Sequence, residues 1–116
     1  EQREAYIKEL NSCNVEILGI PSNVYSSVHL VVARLRKKSA KMHREIFMKL
    51  RNSGIGVQIH YTPVHLQPYY RELGFKEGQF REAEKFANTS ISLPVYPGLT
   101  KDQQKFVCEN LKEATK

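Results

Sequence analysis

The sequence predicts a mixed helix-and-strand fold (α/β in the broad sense, α+β in the strict one) built as a three-stranded, mainly antiparallel sheet flanked by helices. Three observations carry that expectation. Runs rich in Val, Leu and Ile stand at residues 28–36, 57–61 and 90–93, where extended chain suits β-branched side chains. Between them lie stretches whose apolar residues return every three or four positions, the spacing of one helix face. Pro, Gly and hydroxyl residues mark the boundaries. Read in order, the elements run helix, strand, helix, strand, helix, strand, helix, which favours a small sheet covered by helices. A chain of 116 residues, 41% hydrophobic and 26% charged, has the make-up of one soluble domain with a true core.

Each element has a local reason. Ala5, Tyr6 and Leu10 sit at helical spacing over residues 2–11, as the last turns of a longer helix would. Residues 13–27 read as an irregular connection because Gly19, Pro21, Ser22, Asn23 and Ser26 interrupt any period. The first strand is expected over residues 28–36. Ser39 caps a helix to about Asn52 with Met42, Ile46 and Leu50 on one face, and Gly54 stops it. Gly56 eases the chain into a second strand over residues 57–61, and Pro63, lacking an amide donor, ends it. A short helical turn at 68–73 ends at Gly74, and a helix at 80–87 groups Ala83, Phe86 and Ala87. The third strand at 90–93 is closed by Pro94, and Tyr96, Pro97 and Gly98 form a turn. Thr100 then caps a last helix to about Ala114, with Asp102 and Gln103 in its first turn and Phe106, Val107, Asn110 and Leu111 on its apolar face.

Composition narrows the function classes. No apolar run approaches the roughly 20 residues that cross a bilayer, and no secretory leader is visible. Glu1 in place of Met suggests a chain cut from something longer. Cys13 and Cys108 are far apart and lack metal or redox spacing; they read as reduced thiols of a cytoplasmic protein, Cys108 inside the terminal helix's core. The formal charge of +6 is uneven. Between Arg34 and Arg51 eight basic residues face Glu45 alone, a local +7, so the rest of the chain sums to −1. That stretch could meet nucleic acid or a diphosphate. Without exposed aromatics and glycines among the cations it reads better as a solvated helix face with a basic turn.

The chemistry gathers elsewhere. His60, Tyr61, His65, Gln67, Tyr69 and Tyr70 fall within residues 60–70, around Pro63 and Pro68. Val57, Ile59 and Tyr61 alternate with Gln58 and His60, so His60 points away from the face that Val57 and Ile59 would bury. A polar segment launched from a strand end suits contact with a ligand. His60 and His65 do not read as metal ligands, because no carboxylate or cysteine accompanies them at ligand spacing. His29 is expected to pack against the preceding loop, His43 to be solvated among basic neighbours, and Tyr69, Tyr70 and Phe75 to fill the core edge. Glu84 and Lys85 read as ordinary helix-surface charges. Ser92 and Tyr96 lack a base at recognisable spacing, which argues against a nucleophile.

Three pieces, in this order and spacing, carry a resemblance: Ser27-Val28-His29-Leu30; Gly54-Ile55-Gly56-Val57-Gln58-Ile59-His60-Tyr61-Thr62-Pro63-Val64-His65-Leu66-Gln67-Pro68-Tyr69-Tyr70; and Ser92-Leu93-Pro94-Val95-Tyr96-Pro97-Gly98-Leu99-Thr100. From about Tyr25 to Lys112 the chain resembles the carboxy-terminal small domain of the DegT/DnrJ/EryC1/StrS pyridoxal-phosphate-dependent nucleotide-sugar aminotransferases, of fold type I. Arg3, Tyr6 and Leu10 resemble the end of the helix that precedes it. The His-Tyr-x-Pro-Val-His form is similar to the enzymes that aminate C4 of a UDP-linked 4-keto-6-deoxy sugar toward pseudaminic acid, with relatives serving spore-coat, lipopolysaccharide and flagellar glycans. Gly98 stands where the family commonly has an acidic residue.

The resemblance implies an amino transfer, from glutamate, to a nucleotide-linked sugar, by a cytoplasmic homodimer without membrane or nucleic-acid partners. It places His60, Tyr61, Pro63, His65 and Gln67 at the cleft between this domain and a larger one. It implies pyridoxal phosphate held mainly by that large domain, which supplies the Schiff-base lysine and the pyridinium carboxylate. No segment here resembles those parts; Lys37, Lys38, Lys41 and Lys49 read as solvated. The chain alone is therefore expected to be inactive, with no catalytic residue of its own. A different reading of the same element order is a free-standing ferredoxin-like module binding RNA or a small metabolite.

Overall fold

The computed structural model describes residues 1–36 and 39–116, so the expectation placed on Lys37 and Lys38 lies outside the described residues. The order is α1 (Gln2–Leu10), β1 (Val15–Ile17), β2 (Val31–Leu35), α2 (Ala40–Asn52), α3 (Pro68–Glu72), α4 (Arg81–Ala87), β3 (Ser90–Leu93) and α5 (Lys101–Ala114), with a 3-10 turn at Val64–Leu66. The strands form one antiparallel sheet in the order β1-β2-β3.

Alternation builds the core. On β2, Val31, Ala33 and Leu35 are buried while Val32 and Arg34 are half-buried. The pairing sets Val15 opposite Leu35, Ile17 and Ile91 on either side of Ala33, and Leu93 opposite Val31. Paired residues share a face, so one side of the sheet is wholly apolar. Tyr6 and Leu10 of α1, Ile46 and Leu50 of α2, and Val107, Cys108 and Leu111 of α5 complete that core. Two polar contacts tie α1 in place: the Tyr6 hydroxyl donates to the Pro94 carbonyl at 2.9 Å, and the Gln104 amide to the Gln2 carbonyl at 2.6 Å.

Both expected caps form. Ser39 accepts from the Met42 N–H, and Thr100 and Gln103 exchange bonds in a full capping box. Helix α2 ends in a Schellman motif: Gly54 takes φ +78°, its N–H reaches the Arg51 carbonyl, and the Ile55 N–H reaches Leu50. Ile55 is thereby driven into the core.

Several expectations are corrected. Residues 57–61 form no strand. Gln58 pairs with Ser92 as an isolated bridge, its N–H and carbonyl both engaged at 3.2 and 2.8 Å. Toward Gly56 the ladder cannot lengthen, because Pro94, two residues past Ser92, has no N–H to offer it. The third strand is instead Val15–Ile17, inside the stretch read as irregular; three residues are too few to show a period. With only a bridge following α2, the strand–helix–strand unit of a ferredoxin-like module is not formed. The strand expected from Val28 begins at Val31, since Val28 sits at φ +51°.

Helix faces are also rotated. Buried on α2 are His43, Ile46 and Leu50, and Met42 points outward. His43, expected to be solvated, places Nε2 3.0 Å from the Ser90 carbonyl. A carbonyl only accepts, so Nε2 carries the proton. Phe106 is half-exposed and Gln104 buried in its stead, while on α4 Ala83 is exposed. Tyr69, Tyr70 and Phe75 do not fill the core edge; they stay exposed and stack edge-on in sequence, ring centroids 5.3 and 6.1 Å apart. Cys108 is buried, as expected.

Candidate functional site

The Gln58–Ser92 bridge makes the site. Directly paired residues project to the same face, and so do residues two apart on extended chain. Gln58, Ser92 and His60 therefore share a side, opposite buried Val57. His60 Nδ1 lies 2.8 Å from Ser92 Oγ, and among the described residues its Nε2 makes no hydrogen bond. The Tyr61 ring meets the imidazole edge-on at 4.6 Å and is 68% exposed.

His60 and Ser92 border a cavity of about 730 Å³. His29, Gln58, Tyr96, Asp102 and Gln103 add polar groups, and Leu30, Val95, Leu99 and Phe106 add apolar wall. His29 arrives there after the left-handed turn at Val28, whose N–H is held by Ser26 Oγ at 3.1 Å. Phe106, half-exposed and outside the core, borders this space.

His65 belongs to another arrangement. It is buried in the 3-10 turn, and its Nε2 donates to Glu84 Oε1 at 2.7 Å. The two Glu84 oxygens also accept the Gly78 N–H at 2.8 and 3.0 Å, and the Phe80 ring lies 4.8 Å from the imidazole. The His65 hydrogen bond, then those from Gly78 and Phe80 N–H, hold the Glu84 carboxyl below its ordinary range against the opposing effect of burial. Glu84 thus clasps both ends of the 65–78 segment to α4.

The five residues expected at the cleft accordingly separate. His60 faces the cavity and Tyr61 flanks it. Pro63 accepts the Leu66 N–H at 2.9 Å to start the 3-10 turn, and Gln67 donates weakly to the Thr62 carbonyl at 3.5 Å while preceding α3. His65 is internal. Sequence reasoning missed the cavity roles of His29, Ser92 and Gln103. The imidazole that no spacing announced beside Ser92 is that of His60, brought across by the bridge, and no carboxylate follows His60 to complete a triad among the described residues. Nor did the sequence signal Glu84, which is 19 positions from His65 and on another element.

The cavity's donor set does not fit pyridoxal phosphate. No lysine lines it among the described residues, so none is placed for an imine, and no Lys or Arg is placed for the phosphate. Among the described residues no cluster of three His, Cys, Asp or Glu side chains assembles, and no helix is long and apolar enough to cross a membrane.

Comparison with known proteins places the chain. It is 35% identical over 112 residues to a pleiotropic regulatory protein of Geobacillus stearothermophilus, covering 93% of this chain and 29% of that one. It is 34% identical over 91 residues to the spore coat polysaccharide biosynthesis protein SpsC of Bacillus subtilis, covering 76% and 23%. Among solved structures, the apo-form of the putative sugar aminotransferase Spr1654 from Streptococcus pneumoniae superposes with a TM-score of 0.92 at 25% identity, over 98% of this chain and 30% of that one. That protein is also solved in PMP and PLP forms. The chain spans less than a third of the length of these relatives. Residues 1–112 match the profile of the DegT/DnrJ/EryC1/StrS aminotransferase family, and the chain belongs to that family.

Proposed function

We propose that this chain forms one wall of the active site in a pyridoxal-phosphate-dependent aminotransferase that moves an amino group, from glutamate, onto a nucleotide-linked 4-keto-6-deoxy sugar for surface polysaccharide assembly. The observation that carries the reading is the His60–Ser92 pair on the rim of the large cavity, in a chain of this family. His60 offers a polar ring nitrogen to substrate, Tyr61 shields that ring from one side, and Pro63, His65 and Gln67 set the path of the segment that carries them. The electron sink for the transfer is what pyridoxal phosphate supplies when bound. Its lysine and phosphate contacts are assigned to the portion of the relatives that this chain does not span. We assign the whole enzyme to the cytoplasm as a homodimer, a setting that suits the unpaired Cys13 and Cys108.

A graft tests this. The chain replaces the matching segment of SpsC, and amino transfer from glutamate to a UDP-linked 4-keto-6-deoxy hexose is followed. Amination of the sugar is expected. A graft that folds and takes up cofactor yet leaves the 4-keto sugar unchanged would overturn the reading. The chain by itself is expected to give no lysine adduct on borohydride reduction with cofactor; a single stoichiometric adduct would contradict that.

A further inference from the structure

We propose that Glu84 is a positioning residue of the active-site wall: through His65 it pins the segment that carries His60 and Tyr61, and so sets where those two rings stand. Its part in the reaction rests on the function proposed above, whereas the pin is a property of this chain alone. The first argument is how little else holds the segment. Of residues 58–89 only His65 is buried, and none of them joins the apolar core. Tyr61, Val64, Tyr69, Leu73 and Phe80 are half-exposed or more. Burial of apolar surface, the main force elsewhere in the fold, therefore does little here.

The second argument is the framework on which Glu84 stands. Helix α4 runs directly into β3: the Asn88 N–H reaches the Glu84 carbonyl at 3.0 Å, and the Leu35 N–H of β2 reaches the Thr89 carbonyl at 2.7 Å. Glu84 and Ser92 are thus two points on one stretch tied to the sheet. The segment at 60–65 is fastened to that stretch at both ends by an imidazole, His60 to Ser92 at 2.8 Å and His65 to Glu84 at 2.7 Å. Tyr61, Thr62, Pro63 and Val64 span the interval between the two fastenings.

The fastening at Glu84 is the stronger. Its carboxylate is only 14% exposed and accepts the Gly78 N–H as well as His65. Hydrogen bonds to an ionised acceptor are roughly twice as strong as those between neutral groups. The turn around His65 is stiff: the Leu66 N–H reaches the Pro63 carbonyl at 2.9 Å, and Arg71 Nε donates to the Leu66 carbonyl at 3.0 Å. A displacement of His65 therefore carries Pro63 with it, and Tyr61 stands just before Pro63 in the chain.

The test has two arms. Hydrogen exchange and proton shifts on the isotope-labelled 116-residue chain read the pin. Glu84→Ala is expected to speed exchange at the Leu66, Gln67 and Gly78 amides roughly tenfold or more. It should also move the His60 ring-proton shifts set by the Tyr61 ring, 4.6 Å away, and leave exchange at Ala33 and Leu111 as it was. His65→Ala should free Leu66 and Gln67 in the same way, and His65→Gln, which keeps a donor, less. Unchanged exchange in Glu84→Ala would overturn the pin, as would acceleration spread equally over Ala33 and Leu111. Kinetics of the grafted enzyme read the positioning. Glu84→Ala should lower kcat/KM toward the 4-keto sugar roughly tenfold, with the absorbance of bound cofactor unchanged. The Glu84→Ala, His65→Ala double variant should be no worse than either single one, because each breaks the same contact. Additive losses would overturn the route through His65. Full activity in both single variants would overturn the positioning role and keep the function. An inactive wild-type graft whose chain shows the pin by exchange overturns the function, and with it Glu84's part in the reaction, while the pin stands.

Discussion

Tyr6→Phe removes one oxygen from a fully buried ring and tests how α1 holds the site. The hydroxyl donates to the Pro94 carbonyl, in the turn that leads from β3 to Tyr96 and the cavity. The lost bond is worth about 0.5–1.5 kcal/mol, and a half-buried carbonyl left unpaired adds to it, so about 1–2 kcal/mol is expected. Unfolding entropy near 2.1 cal/mol/K per residue gives about 0.24 kcal/mol/K for a chain of this length, hence a melting point lower by about 4–8 °C. Calorimetry on wild type and variant reads this directly. Burial first, then the Cys108 and Tyr96 neighbours, raise the Tyr6 phenol above its ordinary value. The unfolded chain releases that proton near pH 10 and the folded chain only higher, so this stability is full below pH 10 and is lost as pH rises through the folded value. The gap between wild type and Phe variant should therefore narrow on alkalinisation. Equal melting points at neutral pH would refute the assigned role of this bond.

Further expectations can be checked on the same chain. Glu84 is held below the ordinary carboxyl value of about 4.3, so its contribution is complete above that pH and is lost as pH falls through the lower folded value. Urea midpoints from neutral to acid pH should show a shallower acid limb in Glu84→Gln, and parallel limbs would count against the clasp. The Cys108 thiol is pushed up to about 11 by burial first and the nearby Glu9 charge second. Thiol reagents should modify Cys13 in the native protein and reach Cys108 only on unfolding, read by mass spectrometry. Gly54→Ala should cost about 1–2 kcal/mol in urea unfolding because a side chain at positive φ is strained, although its Cβ would meet open space. Gly56→Ala, equally open but without a positive φ, should be close to neutral.

Legibility in the sequence followed the range of the interaction. Caps at Ser39 and Thr100 and the stop at Gly54 act within four residues, and each stood where its residue type indicated. The apolar strands β2 and β3 declared themselves through β-branched runs. β1 did not, because three residues pair only once β2 is present to receive them. The segment at 57–61 has the alternation of a strand, and its Gln58 and His60 do face away from buried Val57, but Ile59, expected on the buried face with Val57, is exposed because the chain leaves the sheet after the single bridge at Gln58. Its pairing nevertheless depends on Pro94, some 36 positions away. His60 was legible as a candidate, but its hydrogen-bonded partner Ser92 was not, since a bridge 34 positions long brings them together. The same holds for His65 and Glu84, and for His43, whose polar tip finds a strand carbonyl that helical spacing could not announce.

The most direct measurement is kcat/KM of the grafted enzyme toward the 4-keto sugar with His60 replaced by Ala, set beside its melting temperature. His60 is half-exposed and outside the apolar core, so the fold should be kept. Loss of its hydrogen bond to substrate is worth about 1.5 kcal/mol, roughly a tenfold fall in kcat/KM. A tenfold fall at an unchanged melting temperature is the expected result. Full activity in His60→Ala would contradict the assignment of this cavity to the substrate.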